Sequence, residues 1–381
     1  MDRRIFLKGL GVMGCSAAAH PMLTTLTLAA APGENRLVVI ILRGAMDGLD
    51  VVQPRGDRGL AEARPGVLAK AQDLDGFFAL HEGLSDLMPL WQAGELAFVH
   101  ATSTPYRDKR SHFDGQDLLE AGTGTDLAPA AQRDGWLNRL LSVLPGATSE
   151  TAWAVGREAM PILAGAAPAE GWAPDQDVTV SAPARALLER IYAEDALFHQ
   201  ASATAFGLAG MEEGERQDTD LIADFVAERL RGPARIAAFS LTGWDTHKAQ
   251  ERAILKPLDR LQRAVLRLKA GTGAEVWGKT VVLAMTEFGR TVRQNGSGGT
   301  DHGTGGTMLV AGGAVRGGKV YGRWPGLAEA DLYDRRDLMP TSDVRDWAAQ
   351  ATVGLFGLDR AVLERTIFPG LTMEAASSLL L

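Results

Sequence analysis

The chain has 381 residues, 46% hydrophobic and 23% charged, with 44 glycines and 17 prolines. That is ordinary globular composition and excludes disordered, collagen-like and coiled-coil chains. Lys+Arg number 39 against 47 Asp+Glu, a formal net charge of -8, which argues against a nucleic-acid partner because that affinity comes mostly from neutralised phosphates. Cys15 is the only cysteine and falls in a leader expected to be removed. Disulfides, zinc-thiolate sites, iron-sulfur clusters and a cysteine nucleophile are thereby excluded together.

The chain opens Met1-Asp2-Arg3-Arg4-Ile5-Phe6-Leu7-Lys8, paired arginines in the pattern of a twin-arginine export signal. The uncharged run from Gly9 to Ala31 contains Gly9, Gly11, Gly14 and Pro21. It is too mildly apolar for a membrane span and suits a signal peptide. Small residues Ala29-Ala30-Ala31 supply a cleavage region. Residues 1-31 are therefore expected to engage the twin-arginine translocation machinery. The mature protein is expected in the periplasm or secreted, without a transmembrane span. Val12-Met13-Gly14-Cys15 loosely resembles a lipobox, so lipid anchoring at Cys15 is the alternative. Losing the leader removes three basic residues and one acidic, which takes the net charge from -8 to -10.

Residues 32-381 are expected to form a single α/β domain. Leu37-Val38-Val39-Ile40-Ile41-Leu42 is a continuous β-rich apolar run ended by Arg43-Gly44, the pattern of a central parallel strand. Further strands are predicted at 96-100, 236-241, 280-285 and 308-311. Between them, Ile254, Leu255, Leu258, Leu261, Val265 and Leu268 mark one face of a helix over about 248-270. A second helical tract is predicted over 183-230, with a break near 207-214. The alternation predicts a large, mostly parallel central sheet sandwiched between helices. The Ala-, Gly-, Pro- and Trp-rich segment 125-180 reads as an excursion or substrate-facing cap.

Polar residues gather just past the strand ends, where open α/β sheets bind ligands. Asp47 and Asp50 follow the first strand. Thr102-Ser103-Thr104, Arg107 and Arg110-Ser111-His112-Phe113-Asp114 follow the second. Gly243-Trp244-Asp245-Thr246-His247 follows the third and Thr286-Glu287-Phe288-Gly289-Arg290 the fourth. Gly299-Thr300-Asp301-His302-Gly303 precedes the fifth. In a chain without cysteine, His with Asp or Glu is the remaining vocabulary for a divalent metal. Asp245 and His247, two apart in extended backbone, share one face and can reach one ion. Each cluster also has a bland reading. Asp47-Gly48 alone is more often a turn, Glu287 to Arg290 reads as a salt-bridged strand end, and His81, His100 and His199 are left unassigned. Gly313 to Lys319 imitates a phosphate loop but has Val320 where Ser or Thr must reach magnesium. A Gly-x-Ser-x-Gly nucleophile elbow is absent.

These motifs, from Leu42-Arg43-Gly44-Ala45-Met46-Asp47-Gly48-Leu49 through Gly299-Thr300-Asp301-His302-Gly303, resemble the exported bacterial family of the domain of unknown function 1501. That family is similar to the alkaline phosphatase, sulfatase and phosphoglycerate mutase superfamily. The resemblance implies an alkaline-phosphatase-like fold and a metal-dependent hydrolase of phosphate or sulfate esters, small-molecule or polymeric. It implies one or two divalent ions, zinc, calcium, magnesium or manganese. Metal ligands are then expected at Asp47, Asp245, His247, Glu287 and His302, with His112 and Asp301 as additional candidates. Ser111 is expected as nucleophile, with Thr102, Ser103 and Thr104 as rivals. Arg290, Arg107 or Arg110 would hold the ester oxygens. Phe288 departs from the superfamily pattern, because its ring stands where a histidine ligand is expected. The alternative is a non-catalytic cell-envelope binding or assembly protein with a degenerate metal site.

Overall fold

The computed structural model describes residues 33-65, 70-107, 109-124, 134-174, 218-374 and 379-381. The expected leader, with Cys15, and most of the expected helical tract over 183-230 lie outside them. The described strands are β1 (Arg36–Arg43), β2 (Val52–Gln53), β3 (Ala71–Asp73), β4 (Ala79–His81), β5 (Leu96–Ser103) and β6 (Ala152–Val155). They continue with β7 (Glu170–Trp172), β8 (Ile236–Thr242), β9 (Thr280–Met285), β10 (Gly306–Ala311), β11 (Lys319–Tyr321) and β12 (Ser342–Asp343). The longer helices are α1 (His112–Ala121), α2 (Trp136–Val143), α3 (Asp218–Arg231), α4 (Leu255–Trp277) and α5 (Val344–Phe356).

Nine of the described strands form one sheet in the order β11-β5-β10-β9-β1-β8-β6-β7, with β12 also on β5. β2, β4 and β3 make a separate small sheet. β1 lies at the centre, parallel to β8 on one side (Ile40↔Phe239) and to β9 on the other (Ile40↔Ala284). Successive side chains of a strand point to opposite faces, and the β1 run divides accordingly. Val38, Ile40 and Leu42 join Phe225 of α3 and Leu258, Leu261 and Leu268 of α4. Leu37, Val39 and Ile41 join Trp136 and Leu140 of α2 and Trp347 of α5. Both faces are thus dry, which is why β1 reads as unbroken Val, Leu and Ile. A fully buried leucine such as Leu261 stabilises by about 2 kcal/mol through area removed from water. Ion pairs bind α3 to α4, with Arg267 bridging Asp220 at 3.1 Å and Asp224 at 2.8 Å.

All five predicted strands are present, and two features differ from expectation. β10 runs antiparallel to both of its neighbours, β5 and β9. An apolar run carries no direction. The connection from β9 to β10 contains no helix, and only parallel neighbours need a crossover unit. The described part of the expected cap, 134-174, instead belongs to the body. α2 packs beneath the sheet, and β6 extends the sheet beside β8 (Ala154↔Ala238). Ala152-Trp153-Ala154-Val155 is too short and too alanine-rich to announce itself, and its burial makes it a strand. Among the described residues no helix is long and apolar enough to cross a membrane.

The direction of β10 has a functional consequence. The carboxyl ends of β1, β8 and β9 share one rim, and an antiparallel β10 begins at that rim. The loop before β10 is therefore delivered beside the loops that follow the other three strands.

Candidate metal centre

Gly44 ends β1 at φ +118, and a Cβ there would lie 2.6 Å from the Asp245 nitrogen. Glycine lets the loop after β1 close against the loop after β8. That loop carries Asp245 and His247. The loop before β10 carries His302, and α1 carries His112 at its first position, with Ser111 as N-cap.

Three imidazoles converge on one carboxylate. Asp245 Oδ1 lies 3.0 Å from His247 Nε2 and 3.2 Å from His302 Nε2. Its Oδ2 lies 3.5 Å from His112 Nε2. The Nε2 atoms of His247 and His302 are 3.0 Å apart. The other nitrogen of each ring is tied behind it. His112 Nδ1 meets Glu287 Oε1 at 2.7 Å, His247 Nδ1 meets Asp301 Oδ1 at 3.2 Å, and His302 Nδ1 meets the Arg110 carbonyl at 2.9 Å. Arg110 adopts left-handed φ 51, which turns that carbonyl toward His302. Acceptors behind all three rings assign the neutral proton to Nδ1, leaving three Nε2 lone pairs aimed at a carboxylate. The His112 Nε2 atom is buried without any hydrogen-bond partner.

Lone pairs crowded in this way require a cation or added protons between them. Four ligands at tetrahedral bonds of about 2.0–2.1 Å stand about 3.3 Å apart, close to the spacings here. His112, Asp245 and His302 offer ligand atoms all within 4.8 Å of one another, and His247 Nε2 adds a further donor 3.0 Å from Asp245 Oδ1 and from His302 Nε2. A carboxylate or carbonyl behind each imidazole is the usual support of histidine ligands. The donor set fits a divalent ion.

The electrostatics agree. Burial would raise the Asp245 carboxyl, but Arg290 outweighs it with help from His247 and His112, and holds it below the usual range. The Glu287 hydrogen bond raises His112, against the opposing effect of its burial. Burial lowers His302, and neighbouring His112 and Arg290 add to that.

Of the expected ligands, Asp245, His247 and His302 come together and His112 joins them. Asp47 does not. It is fully buried, with Oδ2 2.6 Å from Arg64 Nη1 and Oδ1 3.1 Å from Arg64 Nη2, and it accepts from Gln250 Nε2 at 2.6 Å. Arg64 spans both Asp47 oxygens, whereas Arg290 engages only Oδ1 of Asp245 and leaves Oδ2 to the cluster. Glu287 is also corrected. Its Oε1 accepts from the Gly44 nitrogen at 3.0 Å, Gln116 at 3.1 Å and His112, and its Oε2 from Thr286. These donors hold its carboxyl low despite burial, and its role is to aim His112. Asp301 similarly backs His247 and accepts from Asn295 at 3.0 Å.

Arg290 was expected to grip substrate, and the structure overturns that. Its guanidinium is fully buried, 2.6 Å from Asp245 Oδ1 and bonded to the Thr300 hydroxyl and carbonyl, so it fixes Asp245. Arg110 is one-third exposed beside the cluster, with only a long 3.4 Å bond to buried Asp337. Its neighbour Arg336 shares Asp337 at 3.0 Å and donates to the His302 carbonyl at 3.1 Å. Two guanidiniums thus share Asp337 beside the cluster, and Arg336 also faces Asp301.

Ser111 Oγ accepts from the Asp114 nitrogen at 3.4 Å. Of its rivals, the Thr102 and Thr104 hydroxyls donate to the Ser342 and Glu287 carbonyls, and Ser103 Oγ is buried within β5 without a hydrogen-bond partner. Phe288 stacks on His112 with ring centroids 5.2 Å apart and also on Tyr106, so the ring that cannot coordinate braces one that can. Sequence reasoning missed Arg64, Gln250 and Arg336. Nothing local marks them, since their roles come from long-range contacts.

A family model described as protein of unknown function (DUF1501) matches residues 34–367. No curated protein matches the chain. Solved structures similar to it include an alkaline phosphatase superfamily protein from Vibrio parahaemolyticus. That protein is 13% identical, with 89% of this chain and 69% of that one covered, at a TM-score of 0.41. Lipoteichoic acid synthase LtaP from Listeria monocytogenes is 8% identical over 88% and 75% of the two chains, at 0.43. The C-terminal periplasmic domain of EptC from Escherichia coli, in complex with zinc, is 11% identical over 90% and 88%, at 0.40.

Proposed function

The chain belongs to the DUF1501 family, and from that premise we propose that it is a metal-dependent hydrolase of phosphate or sulfate esters. One observation carries this reading: three Nε2 atoms converge on Asp245, each imidazole held from behind by an acceptor. His112, His247, His302 and Asp245 would hold the ion. When bound, a divalent ion there polarises an ester oxygen and favours ionisation of a nearby hydroxyl or water.

The chain's own groups supply the rest. Ser111 stands at the N-terminus of α1, where the helix dipole favours developing negative charge. Its hydroxyl proton would pass to solvent, and its oxygen would attack phosphorus or sulfur in line as the bond to the leaving alkoxide breaks. The alkoxide takes a proton from solvent, and water then hydrolyses the Ser111 ester. Arg110, with Arg336 beside it, would bind the non-bridging oxygens, a task suited to the planar guanidinium fork. Glu287 and Phe288 hold His112, and Arg290 holds Asp245, so the ligands need little reorganisation.

The second reading is a non-catalytic binding protein. It is favoured by Arg290, which already neutralises Asp245 without an ion. The Arg3-Arg4 leader supports export by the twin-arginine route to the periplasm or beyond. The deciding experiment uses the chain folded in the cytoplasm. Its metal content is measured, followed by hydrolysis of nitrophenyl phosphate, nitrophenyl sulfate and bis-nitrophenyl phosphate. Bound metal with turnover of one ester supports the hydrolase; bound metal with no turnover supports the binding protein. Metal-free protein inert toward all three refutes the metal-dependent reading.

A further inference from the structure

The next inference rests on the metal-dependent reading and concerns how many ions the rim takes. Asp245, Glu287 and Asp301 contact the imidazoles, and Asp47 and Asp50 follow β1 at the same rim, more carboxylates than one ion needs. Following each of them shows how little is free. Asp47 is spanned by Arg64 and further engaged by Gln250 and the Leu49 nitrogen. Asp50 accepts from Gln250 at 2.8 Å and from Gln53. Glu287 and Asp301 lie behind the rings of His112 and His247, on the Nδ1 side. The two nitrogens of an imidazole point in divergent directions, so an ion at Nε2 is out of reach of the carboxylate at Nδ1. Asp245 Oδ1 is taken by Arg290 at 2.6 Å. What remains is three Nε2 atoms gathered about Asp245, two facing the Oδ1 it shares with Arg290 and one facing Oδ2, the complement of a single ion.

We propose that the centre binds one divalent cation through His112, His247, His302 and Asp245. The buried guanidiniums of Arg64 and Arg290 take the place of a second cation, neutralising Asp47 and Asp245 from within the protein. A guanidinium is permanently charged and weakly hydrated, so it suits this buried position. A second divalent ion would meet two fixed positive charges, and among these carboxylates only Asp301 keeps a largely open oxygen, Oδ2, on the far side of the His247 ring.

The test is stoichiometry. Chelator-stripped chain is titrated with zinc alone by calorimetry, and bound metal is measured after desalting. One ion per chain is expected, with His112→Ala and His302→Ala each reducing it to near zero. Glu287→Gln keeps the acceptor behind His112, so it is expected to retain one ion, with affinity weakened by about 10–100-fold. Asp301→Asn should likewise retain one, and covers the case in which the buried Glu287 variant fails to fold. Two ions per chain, with either conservative variant falling to one, would overturn the single-ion centre while leaving the hydrolase standing. No bound zinc would remove both.

Discussion

Arg64→Met tests the buried charge pair that separates this rim from a second ion site. Both partners are 1% exposed, so water cannot replace the lost guanidinium. Removing one member of such a pair costs about 3–5 kcal/mol, because the other is left buried and uncompensated. The Val292 and Thr291 carbonyls, each 2.7 Å from Arg64, also lose their donor, at about 1 kcal/mol apiece. Asp47 has one escape, which is to take a proton. From a carboxyl value of 3.8, that costs about 4 kcal/mol at pH 7 and about 1.4 less for each unit of acidification. The expected loss is therefore about 5–6 kcal/mol at pH 7, about 3–4 from Asp47 and about 2 from the two carbonyls, shrinking by about 2.7 at pH 5. Urea unfolding followed by tryptophan fluorescence, with chelator present throughout, measures it. Arg64→Met, Asp47→Asn together should recover part of the loss. A variant within about 1 kcal/mol of the parent at pH 7, or one equally destabilised at both pH values, would refute the reasoning.

Asp50 titrates in the opposite sense. Burial, with Asp47 beside it, pushes its carboxyl up to about 7, above the unfolded value. The folded state then binds more protons, and this contribution is present at low pH and lost as pH rises through 7. Asp50→Asn should gain on the parent by about 4 kcal/mol between pH 4 and pH 8; parallel stability profiles would contradict this. Asp245→Asn keeps the shape but removes the only negative charge of the ligand set, and should weaken zinc binding by more than the roughly 10–100-fold expected of an outer partner. Unchanged calorimetric affinity would remove Asp245 from the ligand set. In Gly299→Ala the new methyl collides with the His247 backbone. It should cost about 1–3 kcal/mol and weaken zinc binding together, and melting curves with calorimetry would expose a change in neither.

The sheet was legible because its strands are buried on both faces, so Leu37 to Leu42 and Thr280 to Met285 stand out as unbroken apolar runs. Strand direction was not legible, since β10 differs from a parallel strand only in where its neighbours lie. The cluster was foreshadowed because Asp245, His247 and His302 flank strand ends, while His112 looked secondary at a helix start. Asp47 and Glu287 carry the right chemistry in the right places. What removes them from the ligand set is Arg64, seventeen residues downstream of Asp47, and Gln116 on α1. Whether a carboxylate is vacant depends on its partners in space, which a linear string does not record. Arg290 misled for the same reason, because its burial against Thr300 is a tertiary fact.

The three imidazoles come from positions 112, 247 and 302, so one ion would rivet a helix start and two loops separated by up to 190 residues. Such a rivet tightens the fold by an amount set by free metal over its dissociation constant. The stripped chain should therefore loosen first at this edge, and a protease added without metal should nick the stretches around 243-249 and 289-303 before any other described loop.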